Sequence, residues 1–336
     1  MNKMKRCFNK RQWRLEELPD LVMIETVVGC NLRCEMCPVP QSKSSMNGRT
    51  TTFMSMQTFQ AILAAIADKP RKLHLNQLGE PLLNKEIAQF VALGKQGGHW
   101  VSLTTNGTLM DEEIAHRLLQ AGIDRVTFSI DGFHAATYEG IRKGADYQKV
   151  RGNVERFCKL KRELGFRTEV QIDCIDSELT RDEIPLMQKY WLDKVDRLNT
   201  IPLDDWAGKH ELPVRFGLRN WVSKAGDGSR YPCDLLWTTV SVSAEGRGMY
   251  CCHDYKFLSE LPSVNETPLK EIWREQLSRE RRKHVTGSID REPCLHCDAW
   301  KTRLPYCIEA SKAGVFVDLF LQKLGSIIRR CLVPER

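Results

Sequence analysis

Short apolar runs and amphipathic stretches alternate along the first two thirds of the chain. The run at 21–27 contains Leu, Val and Ile and predicts a strand. Apolar residues three or four positions apart predict helices, as at 55–67, where Phe59, Ile62 and Ile66 share one face. Further strands are predicted at 72–75, 99–103, 125–130, 168–173 and 195–200, and further helices at 84–95, 111–121, 147–164 and 181–190.

This order of six strand–helix units predicts an α/β fold with a parallel sheet covered by helices. The pattern alone fits either a doubly wound sheet or a barrel. In such barrels the reactive groups lie at the carboxyl ends of the strands. The polar motifs of the chain follow this rule, because each comes directly after a predicted strand.

Three cysteines stand close together after the first strand, in the spacing C-x3-C-x2-C. Cys30, Cys34 and Cys37 can ligate three irons of one [4Fe–4S] cube and leave the fourth iron without a protein ligand. The alternatives are a zinc site or buried free thiols. A zinc site usually needs a fourth Cys or His nearby, and none occurs between residues 38 and 73. The spacing therefore favours an iron–sulfur cluster with one open iron, where a small molecule can bind.

Composition narrows the class of protein. The 336 residues carry 13 Cys and a net charge of +7, and they contain no run of 18 apolar residues and no secretory signal. Cysteines without a signal peptide indicate a reducing compartment and metal ligation, so a cytoplasmic protein is expected. The modest positive charge is typical of a solvated surface, and no nucleic-acid partner is expected.

With these residues the chain resembles the radical S-adenosylmethionine (SAM) enzymes, whose signature is C-x3-C-x-φ-C, with Met36 in the φ position. The resemblance implies a partial (β/α)6 barrel of the TIM type over residues 20–200. It implies that SAM chelates the open iron through its amino and carboxylate groups. One electron, from an external reductant such as flavodoxin or ferredoxin, then splits SAM to a 5′-deoxyadenosyl radical that abstracts a substrate hydrogen atom.

Short polar motifs after the second, third and fourth strands resemble the SAM-binding segments of this family. Each can also be an ordinary turn. Leu78-Gly79-Glu80-Pro81 resembles the G-G-E-P segment for the SAM ammonium, although the first glycine is absent. The resemblance implies contacts with the SAM ribose and carboxylate from the remaining motifs, through Thr104, Asn106, Ser129, Asp131 and Arg142.

The last third of the chain holds a second group of cysteines. Cys233 and Cys251 enclose Gly246 in the spacing C-x12-G-x4-C, and Cys294 and Cys297 form a later C-x2-C pair. Two separated pairs can supply four thiolates to a closed tetrahedral site. That site can hold zinc or a [4Fe–4S] cluster.

This order resembles the SPASM and twitch extensions of radical SAM enzymes, in which a hairpin and a helix carry an auxiliary [4Fe–4S] cluster. A hairpin is predicted from strands at 238–243 and 247–251, and a helix at 269–284. The full SPASM pattern continues with more cysteines than Cys307, which alone follows Cys297 at close range. One auxiliary cluster is therefore expected. Its expected ligands are Cys233, Cys251, Cys294 and Cys297, with Cys252 as the alternative to Cys251.

Cys294, Cys297 and Cys307 also resemble the three iron-ligating C-terminal cysteines of the molybdopterin-pathway GTP cyclases. The second gap is shorter here, and the chain lacks the terminal Gly-Gly of that family. The motif fit is weaker than for the SPASM and twitch extensions.

Oxidation of a substrate radical needs a base, and a carboxylate near the auxiliary cluster is the natural candidate. Asp254 is the first choice and Asp173, at the end of the fifth strand, the second, although Asp254 can instead serve as a cap or an ion-pair partner. An epimerase needs a thiol that returns a hydrogen atom. The cysteines available for that role are Cys252, Cys307, Cys174 and Cys158, each of which can also be a small buried hydrophobe.

The predicted domains are an N-terminal extension (1–19), the barrel (20–200), a linker (201–232), the auxiliary-cluster domain (233–308) and a C-terminal amphipathic helix (309–336). The apolar stripe at 315–332 suits docking on the barrel or peripheral contact with a lipid surface.

The expected function is oxidation of a small polar metabolite or sugar by a radical SAM enzyme. Only about 20 residues precede the first strand, too few for the leader-binding domain that is frequent in peptide-modifying relatives. The alternatives that remain open are a radical epimerase, a peptide-modifying radical SAM enzyme, and a non-enzymatic iron–sulfur or zinc scaffold.

Overall fold

The computed structural model describes Cys7, residues 9–39 and 52–203, Trp206, residues 232–297 and the backbone of 308–310. Cys307, most of the predicted linker and the predicted helix at 315–332 lie outside the described residues. Within the described part, no helix is both long enough and apolar enough to cross a membrane.

The strands of the described residues run in chain order as β1 (Leu21–Ile24), β2 (Val27–Val28), β3 (Thr52–Phe53), β4 (Lys72–His74), β5 (Trp100–Thr105), β6 (Arg125–Ser129), β7 (Glu169–Asp176), β8 (Arg197–Pro202), β9 (Thr239–Val242), β10 (Gly248–Met249) and β11 (Ile308–Ala310). Nine of these described strands form one sheet, in the order β10-β9-β1-β4-β5-β6-β7-β8-β11. Neighbours from β1 through β4 to β8 are all parallel. This confirms the predicted α/β fold with its six parallel strands.

The helices outside the sheet begin where the sequence provides a cap. Ser55, Asp111 and Asp146 each accept a hydrogen bond from the backbone N–H three residues later. The periodicity missed the helix Ala135–Ile141, which is only seven residues long and contains Thr and Gly. The predicted helix at 181–190 begins later, because turns occupy the residues before Ile184. The remaining barrel helices are Met56–Ala65, Ile87–Gln96, Glu112–Gln120 and Tyr147–Glu163.

The two faces of the parallel strands differ in polarity. On one face the side chains are apolar and fully buried, among them Val101, Leu103, Val126, Phe128, Val170 and Ile172. On the alternate positions they are mostly polar and hydrogen-bonded to one another. His74 Nδ1 lies 2.9 Å from Ser102 Oγ, and Asn199 Nδ2 donates to Asp173 Oδ1 at 3.1 Å. Barrel interiors are usually filled by branched apolar side chains, so this polar interior suits a barrel that holds a polar molecule.

The C-terminal part of the chain extends the same sheet. Strand β9 pairs in parallel with β1 and antiparallel with β10, and Gly246, at φ +81°, lies in the turn between them. This confirms the predicted hairpin. The predicted helix at 269–284 forms as Leu269–Glu271, the π-helical Ile272–Gln276 and Leu277–Thr286. The second cysteine group is thus joined directly to the first strand of the barrel.

Candidate functional site

The three cysteines of the first motif lie together at the carboxyl ends of the barrel strands. Cys30, Cys34 and Cys37 line one cleft that is partly open to solvent. A tight turn brings two of them close, because Cys37 N donates to Cys34 O at 3.1 Å. The other residues that line the cleft are Leu32, Asn76, Gly79, Glu80, Thr104, Thr105, Asn106, Ser129 and Arg142.

The three thiols lie in surroundings that disfavour the charged thiolate form. Burial raises the pKa of Cys30 to about 11 and that of Cys37 to about 12. Burial also raises the pKa of Cys34, although the Arg142 guanidinium opposes this shift. A bound metal ion deprotonates a ligating thiol and neutralises its charge. Three sheltered sulfur donors beside open space therefore fit an iron–sulfur cube that keeps one iron free for SAM.

Gly79 lets the loop after β4 lie against the cysteine loop. Its φ of +79° belongs to the left-handed region, and a Cβ added there would lie 2.5 Å from Val27 O and 2.6 Å from Gly29 O. The next residue continues the contact, since Glu80 N donates to Gly29 O at 2.9 Å. A side chain at position 79 would push the two loops apart.

Glu80 ties the loops after β4 and β5 together. Its buried carboxylate accepts hydrogen bonds from Leu82 N at 3.1 Å, Thr105 Oγ1 at 2.6 Å and Asn106 N at 2.8 Å. Burial raises the pKa of Glu80 to about 7, and the three donors oppose that shift. The carboxylate lines the cleft and at the same time organises the cleft wall. Its contact with the SAM ammonium stays a prediction.

Asn106 holds the cysteine loop from the other side. Its Nδ2 donates to Asn31 Oδ1 at 3.0 Å and lies 3.6 Å from Cys30 Sγ, while its Oδ1 accepts from Thr108 N at 2.9 Å. Thr104, two residues earlier, lines the cleft. The predicted Thr-Asn motif thus lies beside the first cysteine, and Asn106 positions that cysteine.

Arg142 supplies a fixed positive charge at the cleft. Its Nη2 lies 2.5 Å from Asp131 Oδ2, and Asp131 Oδ1 accepts from Ile175 N at 2.7 Å. Burial opposes the charge of Arg142, but the Asp131 carboxylate and the Cys34 sulfur raise its pKa above the usual value. Arg142 and Ser129 line the cleft, whereas Asp131 is fully buried behind them. Such a cation suits the SAM carboxylate, and Asp131 is placed to orient it.

Met36 does not line the cleft itself, but it packs against Leu32 and Cys34, which do. Its side chain lies in a small buried cluster with Leu32, Cys34 and Ile141, and its carbonyl accepts from Trp206 Nε1 at 2.9 Å. Sequence reasoning missed three residues of the lining, which are Leu32, Asn76 and Thr105. Asn76 and Thr105 lie at or just after the ends of β4 and β5, so the rule that found the other motifs also covers them.

The second cysteine group forms a separate, mostly apolar cavity. Cys233, Cys251, Cys294 and Cys297 all line it. Burial raises the pKa of the first three above the usual thiol value, and the neighbouring sulfurs add to the shift. Four sulfur donors around one cavity fit a closed iron–sulfur site without an open coordination position. The remaining lining residues are Leu235, Leu236, Tyr250, His253, His284 and Pro293.

Adjacent cysteines at this site take different places. The described lining includes Cys251 and not Cys252. Cys252 is half-buried, with its Sγ 3.7 Å from His253 Nδ1. The geometry agrees with the preference for Cys251 as ligand, although ligation itself stays a prediction.

The two candidate bases have different surroundings. Asp254 is 1% exposed, and its carboxylate accepts from Leu258 N at 2.8 Å and Ser259 N at 3.2 Å, which are bonds that hold a turn. Asp173 is half-buried among the polar side chains of the barrel interior. Of the candidate thiols, Cys158 and Cys174 are buried. Asp173 is the more exposed of the two aspartates, and its role as a base stays a prediction.

Comparison with known proteins places both sites in families. Residues 24–178 match the model of the radical SAM superfamily, and residues 233–298 match that of the SPASM iron–sulfur cluster-binding domain. The chain is 32% identical over 124 residues to the AdoMet-dependent heme synthase of Methanosarcina barkeri, covering 37% of this chain and 34% of that protein. It is 30% identical over 232 residues to the GTP 3′,8-cyclase of Desulforamulus reducens, covering 66% of each. The chain thus spans between a third and two thirds of the length of these relatives.

Solved structures share the fold. Streptococcus suis SuiB bound to S-adenosylmethionine superposes with a TM-score of 0.64 at 13% identity, covering 89% of this chain and 75% of that one. BtrN in complex with AdoMet and 2-DOIA gives a TM-score of 0.55 at 16% identity, covering 82% and 90%. These likenesses confirm that the fold is the partial TIM-type barrel expected from the sequence.

Proposed function

The chain belongs to the radical SAM superfamily and carries a SPASM iron–sulfur cluster-binding domain, and from this premise we propose that it oxidises a small polar metabolite such as a sugar. Its cofactors are a [4Fe–4S] cluster with SAM and auxiliary iron–sulfur chemistry in the SPASM domain. The observation that carries the proposal is the polar barrel interior next to the three-cysteine cleft. A large apolar substrate would cover those polar groups without offering them hydrogen bonds.

Different residues of the cleft are proposed to bind the cluster and SAM. Cys30, Cys34 and Cys37 are proposed to hold the cluster, and Arg142 the SAM carboxylate, while Gly79 lets the backbone approach closely. When bound, SAM supplies a radical that abstracts a hydrogen atom from the substrate. The protein must hold the substrate carbon against that radical and keep water out.

Oxidation also releases a proton and an electron from the substrate. We assign the proton to Asp173, because burial raises its pKa and it lies in the barrel interior. The four-cysteine cavity suits a group that handles electrons and binds no substrate, since its lining is mostly apolar and closed. Radical SAM enzymes need an external one-electron reductant, and flavodoxin or ferredoxin is proposed for that part.

A second candidate is a cyclase reaction on a nucleotide, favoured by the 30% identity with GTP 3′,8-cyclase over 232 residues. The four cysteines that share one cavity count against it, because the motif of those cyclases has three C-terminal iron-ligating cysteines. An epimerase needs an accessible thiol near the cleft. Of the described cysteines outside the two ligand sets, Cys7 and Cys252 are half-buried and Cys158 and Cys174 are buried.

The test is hydrogen transfer in the anaerobically reconstituted protein. We expect deuterium from a labelled polyol or amino sugar to appear in 5′-deoxyadenosine, with a product two hydrogens lighter than the substrate. The variant Cys30→Ala should lose both signals. A product of unchanged mass that carries solvent deuterium would indicate epimerisation, and consumption of GTP would favour the cyclase. A colourless protein without iron would leave only the zinc scaffold.

A further inference from the structure

Three polar side chains form a cluster inside the barrel, on β7 and β8. Asp173 Oδ1 accepts hydrogen bonds from Gln171 Nε2 at 2.7 Å and from Asn199 Nδ2 at 3.1 Å. We call these three residues the Asp173 cluster. Both amide groups donate to the same carboxylate oxygen, so the amides orient the carboxylate and leave its other oxygen unused.

Two acceptors of the Asp173 cluster have no donor among the described residues. Asn199 is 3% exposed, and its Oδ1 has no hydrogen-bond partner in the described part of the chain. The described residues provide no donor to Asp173 Oδ2 either, since both bonds of this carboxylate end on Oδ1. Buried acceptors without donors are uncommon and costly in folded proteins. An unused carboxylate oxygen beside an unused amide oxygen is a place for a ligand that brings its own donors.

The Asp173 cluster continues the wall of the SAM cleft into the barrel. Ser129 of β6 lines the cleft and is the register partner of Asp173 on β7. Asp173 in turn is the register partner of Asn199 on β8. Because neighbouring strands lie about 4.8 Å apart, the cluster begins roughly one strand spacing from the cleft lining. A small molecule bound there would reach from the cluster to the cleft.

The nearby cations do not satisfy the cluster. Arg125 Nη2 lies 2.8 Å from Glu169 Oε2, and Arg197 pairs with the other oxygen of the same carboxylate. Both arginines are thus engaged with Glu169, which lies four residues before Asp173 on β7 and therefore two same-face positions toward the amino end of that strand. No ion pair to Asp173 forms among the described residues. The charge of its carboxylate remains available to a ligand.

We propose that Asp173 and Asn199 bind a hydroxyl or ammonium group of the substrate, which selects a polyol or amino polyol. This inference rests on the proposed function and narrows its substrate class. Asp173 and Asn199 each accept from one donor of the ligand, and Gln171 holds the carboxylate in place. A ligand with two adjacent donors fits the pair better than one with a single donor.

Glucosamine is the probe, because it carries adjacent ammonium and hydroxyl donors. Binding is measured by calorimetry on the full chain, reconstituted with iron and sulfide and saturated with SAM. We expect wild type to bind glucosamine at millimolar or lower concentration and Asp173→Asn to weaken binding at least about tenfold. Glu163→Gln, at the exposed end of a helix, is the matched control and should bind as wild type does. Absence of binding to wild type, or equal binding to Asp173→Asn, would overturn the inference.

A second variant separates a ligand site from a structural network. Asp173→Leu combined with Asn199→Leu and Gln171→Leu removes the unpaired buried Asn199 Oδ1, the carboxylate, and the amide that would otherwise lose its acceptor. We expect a melting temperature at or above that of wild type together with complete loss of glucosamine binding. A melting temperature well below wild type would show a structural network and contradict the proposal.

The two proposals fail in different ways. Deuterium transfer from a polyol that survives Asp173→Asn unchanged would remove this inference and leave the proposed oxidation standing. Glucosamine binding that depends on Asp173, without any hydrogen transfer from polyols or amino sugars, would keep the site and remove the oxidation.

Discussion

The two cysteine sites use the same donor atom in opposite surroundings. The cleft with Cys30, Cys34 and Cys37 is lined mainly by polar residues at strand ends, including a carboxylate and a guanidinium. The cavity with Cys233, Cys251, Cys294 and Cys297 is lined largely by apolar and aromatic side chains. Three sulfurs leave a coordination position open, and four close it. The three-cysteine cleft can therefore bind a small molecule at its cluster, whereas the four-cysteine cavity shields its cluster from such ligands.

Hydrogen bonds connect these two sites despite their separation in sequence. Gln77, in the loop after β4, donates through Nε2 to Cys251 O at 3.5 Å. Trp206 donates to Met36 O at 2.9 Å, and its ring centroid lies 6.0 Å from that of His253. Gln77 and Trp206 thus link the region of the three-cysteine cleft to the loop that carries Cys251 and His253. A change in one cysteine loop can reach the other through these contacts.

Substituting the three cysteines of the cleft should give the largest effect and tests whether the two cysteine sites hold separate clusters. In Cys30→Ala/Cys34→Ala/Cys37→Ala we expect iron to fall from about eight to about four per chain, with complete loss of SAM cleavage. Iron and sulfide analysis after anaerobic reconstitution measures this. Cys158→Ala, which changes a buried thiol outside both sites, should keep all its iron. A fall from about four to none would mean that the C-terminal cysteines bind no cluster.

Adjacent cysteines test the closed site. Because Cys251 lines the cavity and Cys252 does not, Cys251→Ser should lose about four irons while Cys252→Ser keeps them. Cys251→Ser should retain the SAM-dependent signal of the open site in electron paramagnetic resonance. The opposite pattern, with iron lost only from Cys252→Ser, would reassign the ligand.

Gly79 and Gly98 form a matched pair for the close approach at the cleft. Both have positive φ, but a Cβ at Gly79 would lie 2.5 Å from Val27 O, whereas nothing lies within 4 Å of one at Gly98. Gly98→Ala should cost about 1 kcal/mol of unfolding free energy from backbone strain alone. Gly79→Ala should cost about 3 kcal/mol or more and also weaken SAM binding. Urea unfolding under anaerobic conditions compares them, and equal costs would show that the loops relax freely.

His74, in the polar barrel interior, makes the free energy of unfolding depend on pH. Burial lowers its pKa to about 4, from 6.5. Between those values the unfolded chain binds a proton that the folded protein does not, so the free energy of unfolding falls as the pH is lowered through this window. The contribution is at most about 3 kcal/mol. His74→Gln should flatten the dependence of unfolding free energy on pH from about 6.5 to 4, and an unchanged slope would place the titration elsewhere.

Most of the strands and helices were predictable because periodicity is local. The helix predicted at 147–164 forms as Tyr147–Glu163, and the strand at 125–130 as Arg125–Ser129. Helix and strand ends moved by one to three residues, since caps and turns decide them. The short helix Ala135–Ile141 was missed because seven residues hold too few apolar repeats.

Some features of the site were also predictable from local sequence, and others were not. Cys30, Cys34 and Cys37 lie within eight residues, so the chain itself keeps them close and their spacing predicts a shared metal site. The turn-holding bonds of Asp254 and the position of Cys251 rather than Cys252 at the cavity depend on side-chain directions that spacing does not encode. The geometry favours Cys251 over Cys252, and ligation by Cys251 and catalysis by Asp254 or Asp173 stay predictions.

What the sequence alone determined about this protein was its α/β order, its two groups of cysteines and the polar residues that end its strands. Only the tertiary structure decided that Glu80 joins the loops of β4 and β5, that the barrel interior is polar, and that Asp173 and Asn199 meet. The physical reason is the separation along the chain of the residues that interact. Propensities and ligand spacing act between residues a few positions apart, whereas these contacts join residues separated by about 25 positions and exist only once the sheet has set its register.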